Sequence, residues 1–375
     1  MRYISQFIKE TIKKRAVFIG GPRQVGKTTI ALSFLGSKAG TKHPGYLNWD
    51  HAPSAEKIRK TELPPGEPFL VLDELHKFKT WKRWIKGVID VEKDARKIIV
   101  TGSARLDLYQ KGGDSLFGRY RYVRLHPFSL NELKSQEPKM GLEELFTFGG
   151  FPEPLFSKSR KELKLWQKER LRRIVREDVR DTQLIQNISG IEMLAEALPE
   201  RVGSPLSIQN LSEDIQVDHK TIKRWIAVLE SMYFCYRLPP FGAKKIRAVK
   251  KEQKLYLWDW SVIEEEGARW ENLVASQLLK FCHWLEDSEG ETMELRYLRD
   301  IDKREVDFVV IKNKKPIFAV ECKTGEKAIS PSIHYFSART DIPLFYQVHR
   351  GNKNFQSGKV RVLPFEMFCK ELNMP

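Results

Sequence analysis

Residues 16–35, AVFIGGPRQVGKTTIALSFL, decide the fold of the first part of the chain. An apolar run at Ala16–Ile19 precedes the segment GPRQVGKT at residues 21–28, and a helical segment from Thr28 to Leu35 follows it. The segment fits the phosphate-binding pattern G-x-x-x-x-G-K-[ST], and a strand before it and a helix after it are the context that this pattern requires. The sequence therefore predicts a P-loop between a strand and a helix.

The residues of this loop are predicted to bind ATP or ADP. Glycines allow backbone N–H groups to face the phosphates, and the helix N-terminus adds the positive end of its dipole. Lys27 is predicted to neutralise the β- and γ-phosphates, and Thr28 is predicted to coordinate Mg²⁺. The predicted nucleotide contacts are Gly21, Pro22, Arg23, Gln24, Val25, Gly26, Lys27, Thr28, Thr29 and Asp73.

A second motif, FLVLDE at residues 69–74, follows the loop at a workable distance. Its apolar run predicts a buried strand ending at Asp73, whose carboxylate reaches the magnesium ion bound with the nucleotide. The adjacent Glu74 is predicted to orient or deprotonate the attacking water, which favours hydrolysis over binding alone. A solvated carboxylate at a strand end is the alternative for Glu74.

A further strand end with hydroxyl side chains follows at KIIVTGSA, residues 97–104. Thr101 and Ser103 lie where a hydroxyl would contact the γ-phosphate or hold the water, and Ser103 is the candidate catalytic residue. A plain strand-to-helix turn explains the same residues equally well. The sequence leaves both interpretations open.

Size and composition limit the class of protein. At 375 residues the chain exceeds the usual size of one hydrophobic core, which predicts two or three domains. It has no stretch of about eighteen apolar residues, and its charged N-terminal segment lacks the layout of a signal peptide, so we expect no membrane span and a cytoplasmic location. The four cysteines are scattered without zinc-ligand spacing, which argues against a zinc site or a disulfide framework.

The formal net charge of +16 favours a polyanionic partner, nucleic acid and DNA in particular. A solvated, lysine-rich surface is the alternative. The segment AKKIRAVKKEQK at residues 243–254 is strongly basic and predicts either a basic wing or a linker.

The organisation along the chain changes twice. Apolar runs alternate with helical segments in the first part, which predicts an α/β fold with a mostly parallel sheet. From Leu142 to about Arg201 the pattern becomes helical and charged, as in a lid or connector. Residues 207–238 then predict two short helices joined by a tight turn and followed by a strand, a winged helix-turn-helix.

Basic residues lie on the side of the second short helix that is predicted to be exposed. Lys220, Lys223 and Arg224 would contact DNA phosphates or bases there. A solvated helix face, packing and oligomerisation are the alternatives.

The last part of the chain contains REVDFVV at residues 304–310 and IFAVECKTG at residues 317–325. Residues two apart on a strand point the same way, so Asp307, Glu321 and Lys323 share one face of a predicted hairpin, and Glu271 joins them from a helix. Asp307 and Glu321 are predicted to ligate magnesium, and Lys323 to orient or activate the hydrolytic water. The order and spacing of these four residues resemble PD-(D/E)XK nucleases, although a chance match in a lysine-rich protein is the alternative.

Five motifs together resemble a prokaryotic AAA+ ATPase family whose C-terminal domain has no known function: GPRQVGKTT, LDE, TGSA, GRYRYVRLHPFSLNEL and GGFPEP at 149–154. The last two are the more specific. The resemblance implies an AAA+ ATPase, a winged helix and a restriction-endonuclease-like terminal domain. It also implies that Arg119 is an arginine finger reaching the nucleotide of a neighbouring subunit, and hence a homo-oligomer, with the nearby Arg121 and Arg124 as alternatives.

These observations predict four domains and leave three functions open. The domains are an AAA+ core at residues 1–140, a helical lid at 141–200, a winged helix at 201–254 and a nuclease-like α/β domain at 255–375. The leading hypothesis is an ATPase acting on nucleic acid, with a magnesium-dependent nuclease domain. The alternatives are a nucleotide-controlled switch or scaffold whose terminal domain binds DNA or a protein without cutting, and a nucleotide-binding protein with little turnover.

Overall fold

The computed structural model describes residues 2–36, 40–102, 116, 118–175, 187–242 and 252–375. Two compact units divide the chain: the first comprises residues 1–127 with 231–233, and the second comprises 128–230 with 234–375. The predicted catalytic residue Ser103 and residues 243–251 of the predicted basic segment lie outside the described residues.

The first unit alternates strands with helices, as its apolar runs predict. Its elements are α1 (Ser5–Thr11), β1 (Ala16–Gly20), α2 (Lys27–Leu32), β2 (Tyr46–Asn48), α3 (Ala52–Lys60), β3 (Phe69–Asp73), a 3₁₀ turn (Leu75–Lys77), α4 (Trp81–Glu92), β4 (Lys97–Thr101) and β5 (Tyr120–Arg124).

These five strands form one sheet in the order β2-β3-β4-β1-β5, and every pairing is parallel. Strand β1 is buried along its whole length, which is usual for a parallel sheet covered on both faces. On one face, Trp81, Ile85 and Val88 of α4 pack in a cluster with Phe18 and Leu72 of the sheet. The predicted α/β fold with a parallel sheet is confirmed, and all carboxyl ends of its strands lie at one edge.

The second unit begins with helices. They are α5 (Leu130–Gln136), α6 (Leu142–Phe148), α7 (Pro152–Ser157), α8 (Arg160–Arg172), α9 (Ile188–Ala197), a 3₁₀ turn (Pro199–Arg201), α10 (Ile208–Ile215) and α11 (His219–Ser231). Helix α5 begins with a capping box in which the Ser129 hydroxyl accepts from the Glu132 N–H and the Glu132 carboxylate accepts from the Ser129 N–H.

Helices α10 and α11 are joined by a tight turn at which Gln216 has a φ of 57°. A two-stranded antiparallel sheet of β6 (Cys235–Leu238) and β7 (Lys254–Leu257) follows them in the chain. Helix α11 buries Ile222, Trp225 and Ile226, which repeat with the period of a helix. The order of these elements agrees with the predicted arrangement of two helices and a strand.

A mixed sheet fills the rest of the second unit. Its elements are a 3₁₀ turn (Trp260–Val262), α12 (Glu266–Glu289), β8 (Met293–Arg299), β9 (Glu305–Lys312), β10 (Lys315–Lys323), α13 (Pro331–Ser337), β11 (Phe345–His349), β12 (Phe355–Ser357), β13 (Val360–Pro364) and α14 (Phe365–Glu371). The strand order is β12-β13-β11-β10-β9-β8.

Strands β8, β9 and β10 are antiparallel, β11 and β13 extend the sheet in parallel, and β12 closes it in antiparallel pairing. Val309, Ala319 and Phe345 belong to a buried cluster with Ile333 and Phe336 of α13. This α/β architecture with a mixed sheet agrees with the coarse prediction for the terminal part. No helix within the described ranges has the length and apolar character needed to cross a lipid bilayer.

Candidate functional site

The P-loop lies at the carboxyl end of β1 and requires glycine at two positions. Gly21 has a φ of 129° and Gly26 a φ of 97°, both in the region that side chains disfavour. A Cβ atom on Gly21 would lie 2.3 Å from the Leu125 carbonyl oxygen. The loop therefore takes a path that only glycine permits at Gly21, and it delivers Lys27 to the first turn of α2.

Lys27 is buried and folds back over its own loop. Its ammonium donates to the carbonyl oxygens of Gly21, at 3.0 Å, and Pro22, at 2.6 Å. An ammonium group has three N–H donors, and this geometry holds it at the mouth of the loop. Lys27 is thus positioned beside the backbone that the motif assigns to the phosphates.

Asp73 is the centre of a hydroxyl network at the same edge of the sheet. Its Oδ2 accepts from the hydroxyls of Thr28, at 2.9 Å, and Tyr46, at 2.6 Å. The Thr101 hydroxyl donates to its Oδ1. The ends of β3 and β4, the start of β2 and the start of α2 therefore meet at this carboxylate.

Glu74 follows Asp73 in a left-handed conformation with a φ of 55°. Its carboxylate lies 3.6 Å from His76 Nε2 and 3.5 Å from Lys77 Nζ. Burial raises the pKa of Glu74 above its ordinary value, although Lys77 and Lys27 act in the opposite direction. A carboxylate with a raised pKa accepts a proton from water more readily, which suits the predicted role in catalysis.

The oxygens of Thr28 and Asp73 suit a magnesium ion bound together with a nucleotide. Magnesium takes hard oxygen ligands, and it is usually held by one or two protein groups plus phosphate oxygens and water. The 2.9 Å contact between the Thr28 hydroxyl and Asp73 Oδ2 places both predicted ligands side by side. The residues present therefore fit the ion.

Arg119 lies just before β5, at the amino edge of the sheet, so it cannot share a site with the P-loop of its own chain. Its guanidinium pairs with Asp90 at 2.7 Å and 3.2 Å. The hydrogen bond with Asp90 raises the pKa of Arg119, and the same bond lowers the pKa of Asp90. Any contact between Arg119 and a nucleotide has to be made with another subunit, and the finger role stays a prediction.

Two contributions to this site were missed by the sequence motifs. Arg2 donates to the Val25 carbonyl of the P-loop at 2.7 Å, and also to the His126 carbonyl. Tyr46 contacts Asp73 from a strand that had no assigned role. A tyrosine in a strand beside the Asp73 strand was a usable signal for Tyr46, whereas nothing in the local sequence marks Arg2.

The four predicted catalytic residues of the terminal part lie near one another in the second unit. Glu321 Oε1 accepts from Lys323 Nζ at 2.7 Å, and Asp307 Oδ2 accepts from the Cys322 N–H at 2.7 Å. Phe308 pairs with Val320, so one further step in the same antiparallel register places Asp307 opposite Glu321. Burial raises the pKa of Asp307 and of Glu321. A neighbouring carboxylate raises each pKa further, since Glu321 acts on Asp307 and Glu271 acts on Glu321.

Lys254 of β7 enters this acidic cluster. Its side chain is 0% exposed, and its ammonium donates to Glu271 at 3.1 Å and to Glu305 of β9. The Tyr256 hydroxyl donates to the same Glu271 oxygen at 2.7 Å. Burial and the nearby Asp307 raise the pKa of Glu271 to about 7. Neither Lys254 nor Glu305 was singled out in the sequence.

Magnesium ligation by Asp307 and Glu321 stays a prediction. Within the described ranges, no three His, Cys, Asp or Glu side chains form a group that could hold a metal ion. Glu321 Oε2 is buried without a hydrogen bond, whereas Glu321 Oε1 accepts from the Lys323 ammonium and Asp307 Oδ2 accepts from the Cys322 N–H.

Helix α11 presents the predicted nucleic-acid contacts to solvent. Lys220, Lys223 and Arg224 are exposed, on the side opposite the buried Ile222 and Ile226. This placement is compatible with phosphate contacts and equally with a solvated face.

Three family models match successive parts of the chain. They are an AAA domain over residues 13–134, a domain of unknown function (DUF8612) over residues 140–265, and a domain of unknown function (DUF4143) over residues 266–368. The first match confirms the predicted AAA domain. The other two provide no support for a winged helix or a nuclease-like domain, which stay predictions.

The similar curated proteins are themselves uncharacterized. One from Mycobacterium tuberculosis is 21% identical over 347 residues, which cover 88% of this chain and 74% of that protein. One from Mycobacterium bovis has the same figures. One from Methanocaldococcus jannaschii is 24% identical over 297 residues, covering 69% of this chain and 65% of that protein.

Three solved structures show a weak likeness. The Aeropyrum pernix ORC1 protein in complex with DNA has a TM-score of 0.34 at 13% identity, covering 74% of this chain and 94% of that chain. The Thermotoga maritima RuvB Holliday junction branch migration motor has 0.31 at 16%, covering 63% and 89%. The Pyrococcus horikoshii signal transduction ATPase PH0952 has 0.27 at 14%, covering 76% and 47%. Likenesses at this level indicate no function for this chain.

Proposed function

We propose that this chain binds ATP with Mg²⁺ and hydrolyses it to ADP and phosphate. The observation that supports the proposal is the meeting of Lys27, Thr28, Asp73 and Glu74 at the carboxyl edge of one parallel sheet. Each of these four residues performs a different task in a phosphoryl transfer to water.

Binding depends on the loop and on α2. Backbone N–H groups of residues 21–28 and the start of α2 offer positive dipole ends to the phosphates, and Lys27 adds a full positive charge. Thr28 and Asp73 would supply the protein oxygen ligands of the magnesium ion. When bound, the ion neutralises charge on the β- and γ-phosphates. The hydroxyls of Tyr46 and Thr101 fix the Asp73 carboxylate by hydrogen bonds.

Glu74 is the proposed general base. It lies directly after Asp73, and its partly buried carboxylate is flanked by His76 and Lys77. A water between Glu74 and the γ-phosphorus gives its proton to the carboxylate as its oxygen attacks, and ADP leaves with the electrons of the broken P–O bond. Arg119 from another subunit is the proposed finger, which makes the active form a homo-oligomer.

Removal of magnesium tests the proposed hydrolysis. We expect wild-type protein to release phosphate from ATP with Mg²⁺ and to lose at least about 90% of that activity when EDTA exceeds the metal, because the ion carries the phosphate charge. Malachite-green or coupled assays measure the release. A rate that persists in EDTA, or no turnover with Mg²⁺ at any protein concentration, would contradict hydrolysis at this site.

We also propose a nucleic-acid partner, DNA in particular. Supporting this are the net charge of +16 and the exposed Lys220, Lys223 and Arg224 on the second helix of a helix-turn-helix arrangement. Lysine and arginine that neutralise phosphates release counterions, so binding through them weakens steeply with salt.

A triple substitution tests that surface. Changing Lys220, Lys223 and Arg224 to Ala is expected to weaken DNA binding at least about tenfold near 0.1 M salt, and to lower the slope of log K against log salt by about 2–3. Fluorescence anisotropy at several salt concentrations measures both. The matched control changes the exposed Lys13, Lys14 and Arg15 of the first unit to Ala. An equal loss in the control would assign the binding to net charge rather than to α11.

For the terminal part we propose that it binds DNA or a protein without cleaving it, as expected of a nucleotide-controlled switch or scaffold. The buried Lys254 among the acidic residues supports this choice over a magnesium-dependent nuclease. The division into domains at residues 140, 200 and 254, with the winged helix and nuclease-like fold, also stays a proposal.

A further inference from the structure

Lys254 links three structural elements of the terminal acidic cluster. It projects from β7 and contacts Glu271 of α12 and Glu305 of β9. Its ammonium also lies 5.6 Å from the centre of the Tyr297 ring, which offers a favourable π-face. A lysine that is 0% exposed is rare unless it is paired, so this position indicates a specific electrostatic role.

The carboxylates around Lys254 need a positive charge. Glu271, Glu305 and Asp307 all act on Lys254, and together they raise its pKa above the ordinary value even though burial by itself lowers it. Uncompensated carboxylates in a low-dielectric site are costly, so an acidic cluster of this kind requires a cation of some sort. In metal-dependent sites the cation is the metal ion.

Several other acceptors of the cluster are also served by the chain itself, whereas Glu321 Oε2 is buried without a hydrogen bond. Arg299 donates to Glu305 at 2.8 Å, the Tyr256 hydroxyl donates to Glu271, and the Cys322 N–H donates to Asp307. The carboxylates are therefore oriented towards fixed protein donors. A divalent ion would have to replace several of these bonds and repel the nearby ammonium.

We infer that Lys254 is the resident cation of this cluster and excludes divalent metal from Glu271 and Asp307. The inference deepens the proposal that the terminal part does not cleave nucleic acid, and it is independent of ATP hydrolysis. On this inference, the Lys254 side chain alone decides whether the site binds a metal ion or stays free of metal.

Close packing above the cluster supports the inference. The Gly203 N–H donates to the Leu255 carbonyl at 3.2 Å, so the strand of Lys254 is held against the loop around residue 203. A Cβ atom on Gly203, whose φ is 76°, would lie 3.1 Å from Glu271 Oε2. The backbone thus approaches the Glu271 carboxylate closely, and nearest at its Oε2 atom.

A manganese titration tests the inference on the full-length chain without nucleotide. We compare wild type, Asp307→Asn, Lys254→Met and the double variant by electron paramagnetic resonance of free Mn²⁺. The isotherms of wild type and Asp307→Asn are expected to coincide. Lys254→Met is expected to gain one Mn²⁺ site whose affinity falls at least about tenfold when Asp307→Asn is added. Lys315→Met, an exposed lysine at the start of β10, is the matched control and gains none.

Two outcomes would overturn the inference. One is a Mn²⁺ site in wild type that Asp307→Asn removes, a comparison that does not require Lys254→Met to fold. The other is a folded Lys254→Met protein that gains no site. Plasmid nicking separates this inference from the absence of cleavage: wild type that binds Mn²⁺ through Asp307 but does not nick contradicts the first and leaves the second standing. Nicking by wild type that Asp307→Asn abolishes contradicts both.

Discussion

Glu74→Gln slows phosphate release on the order of a hundredfold or more while ATP binding stays within about threefold of wild type. The expected size follows from general base catalysis, which contributes roughly 10²–10⁴ in rate. Glutamine keeps the shape of the side chain beside His76 and Lys77 but cannot accept a proton from water. Glu74 is predicted to act on the attacking water and is not among the predicted nucleotide contacts, so the affinity for ATP is expected to change little.

Single-turnover phosphate release and titration with a fluorescent ATP analogue separate the two effects. Glu62→Gln is the matched control, since Glu62 is an exposed carboxylate of the same unit and has no role in the site. Equal rates for Glu74→Gln and wild type would remove Glu74 as the base. A comparable loss in both rate and affinity would point to damage to the loop and Asp73 instead.

Lys27→Ala weakens ATP binding by about a hundredfold or more and abolishes measurable turnover. Hydrogen bonds to charged groups contribute ~1.5–3 kcal/mol each, and Lys27 is predicted to contact both the β- and the γ-phosphate. Removing the ammonium also leaves the carbonyls of Gly21 and Pro22 without this donor.

Two independent measurements check this expectation. Calorimetric titration reports the affinity directly, and the rise in melting temperature with ATP reports it through linkage, since a ligand stabilises only the state that binds it. Lys57→Ala, an exposed position on α3, is the matched control. Undiminished ATP binding by Lys27→Ala would show that the nucleotide does not use this loop.

The first unit could be predicted well because its signals are local. The P-loop combines a strand, two glycines with positive φ and a helix within about twenty residues. The order of the apolar runs predicted the parallel sheet. The contact between Thr101 and Asp73 was out of reach, because it depends on β4 lying between β1 and β3. Strand order is a long-range property that spacing along the chain does not encode.

The terminal site shows the opposite case. The sequence motifs identified four residues that the structure places close to one another: Glu271, Asp307, Glu321 and Lys323. They did not identify Lys254, the cation that balances the charge of the cluster. Lys254 ends a basic segment, where lysine is normally solvated, and the pairing of β7 with β6 together with its contacts to α12, β8 and β9 buries it. A residue-type pattern identifies potential ligands, but it does not show which cation they hold.

The position of β4 between β1 and β3 limits where the length of the sequence can change. Side chains on a strand alternate between faces, so a shift of β4 by one residue would turn the Thr101 hydroxyl away from Asp73. The connections at the amino edge of the sheet face no such requirement, because loop closure costs grow slowly with length. Insertions and deletions should therefore be tolerated between Lys60 and Phe69, whereas residues 97–101 should accept no change in length.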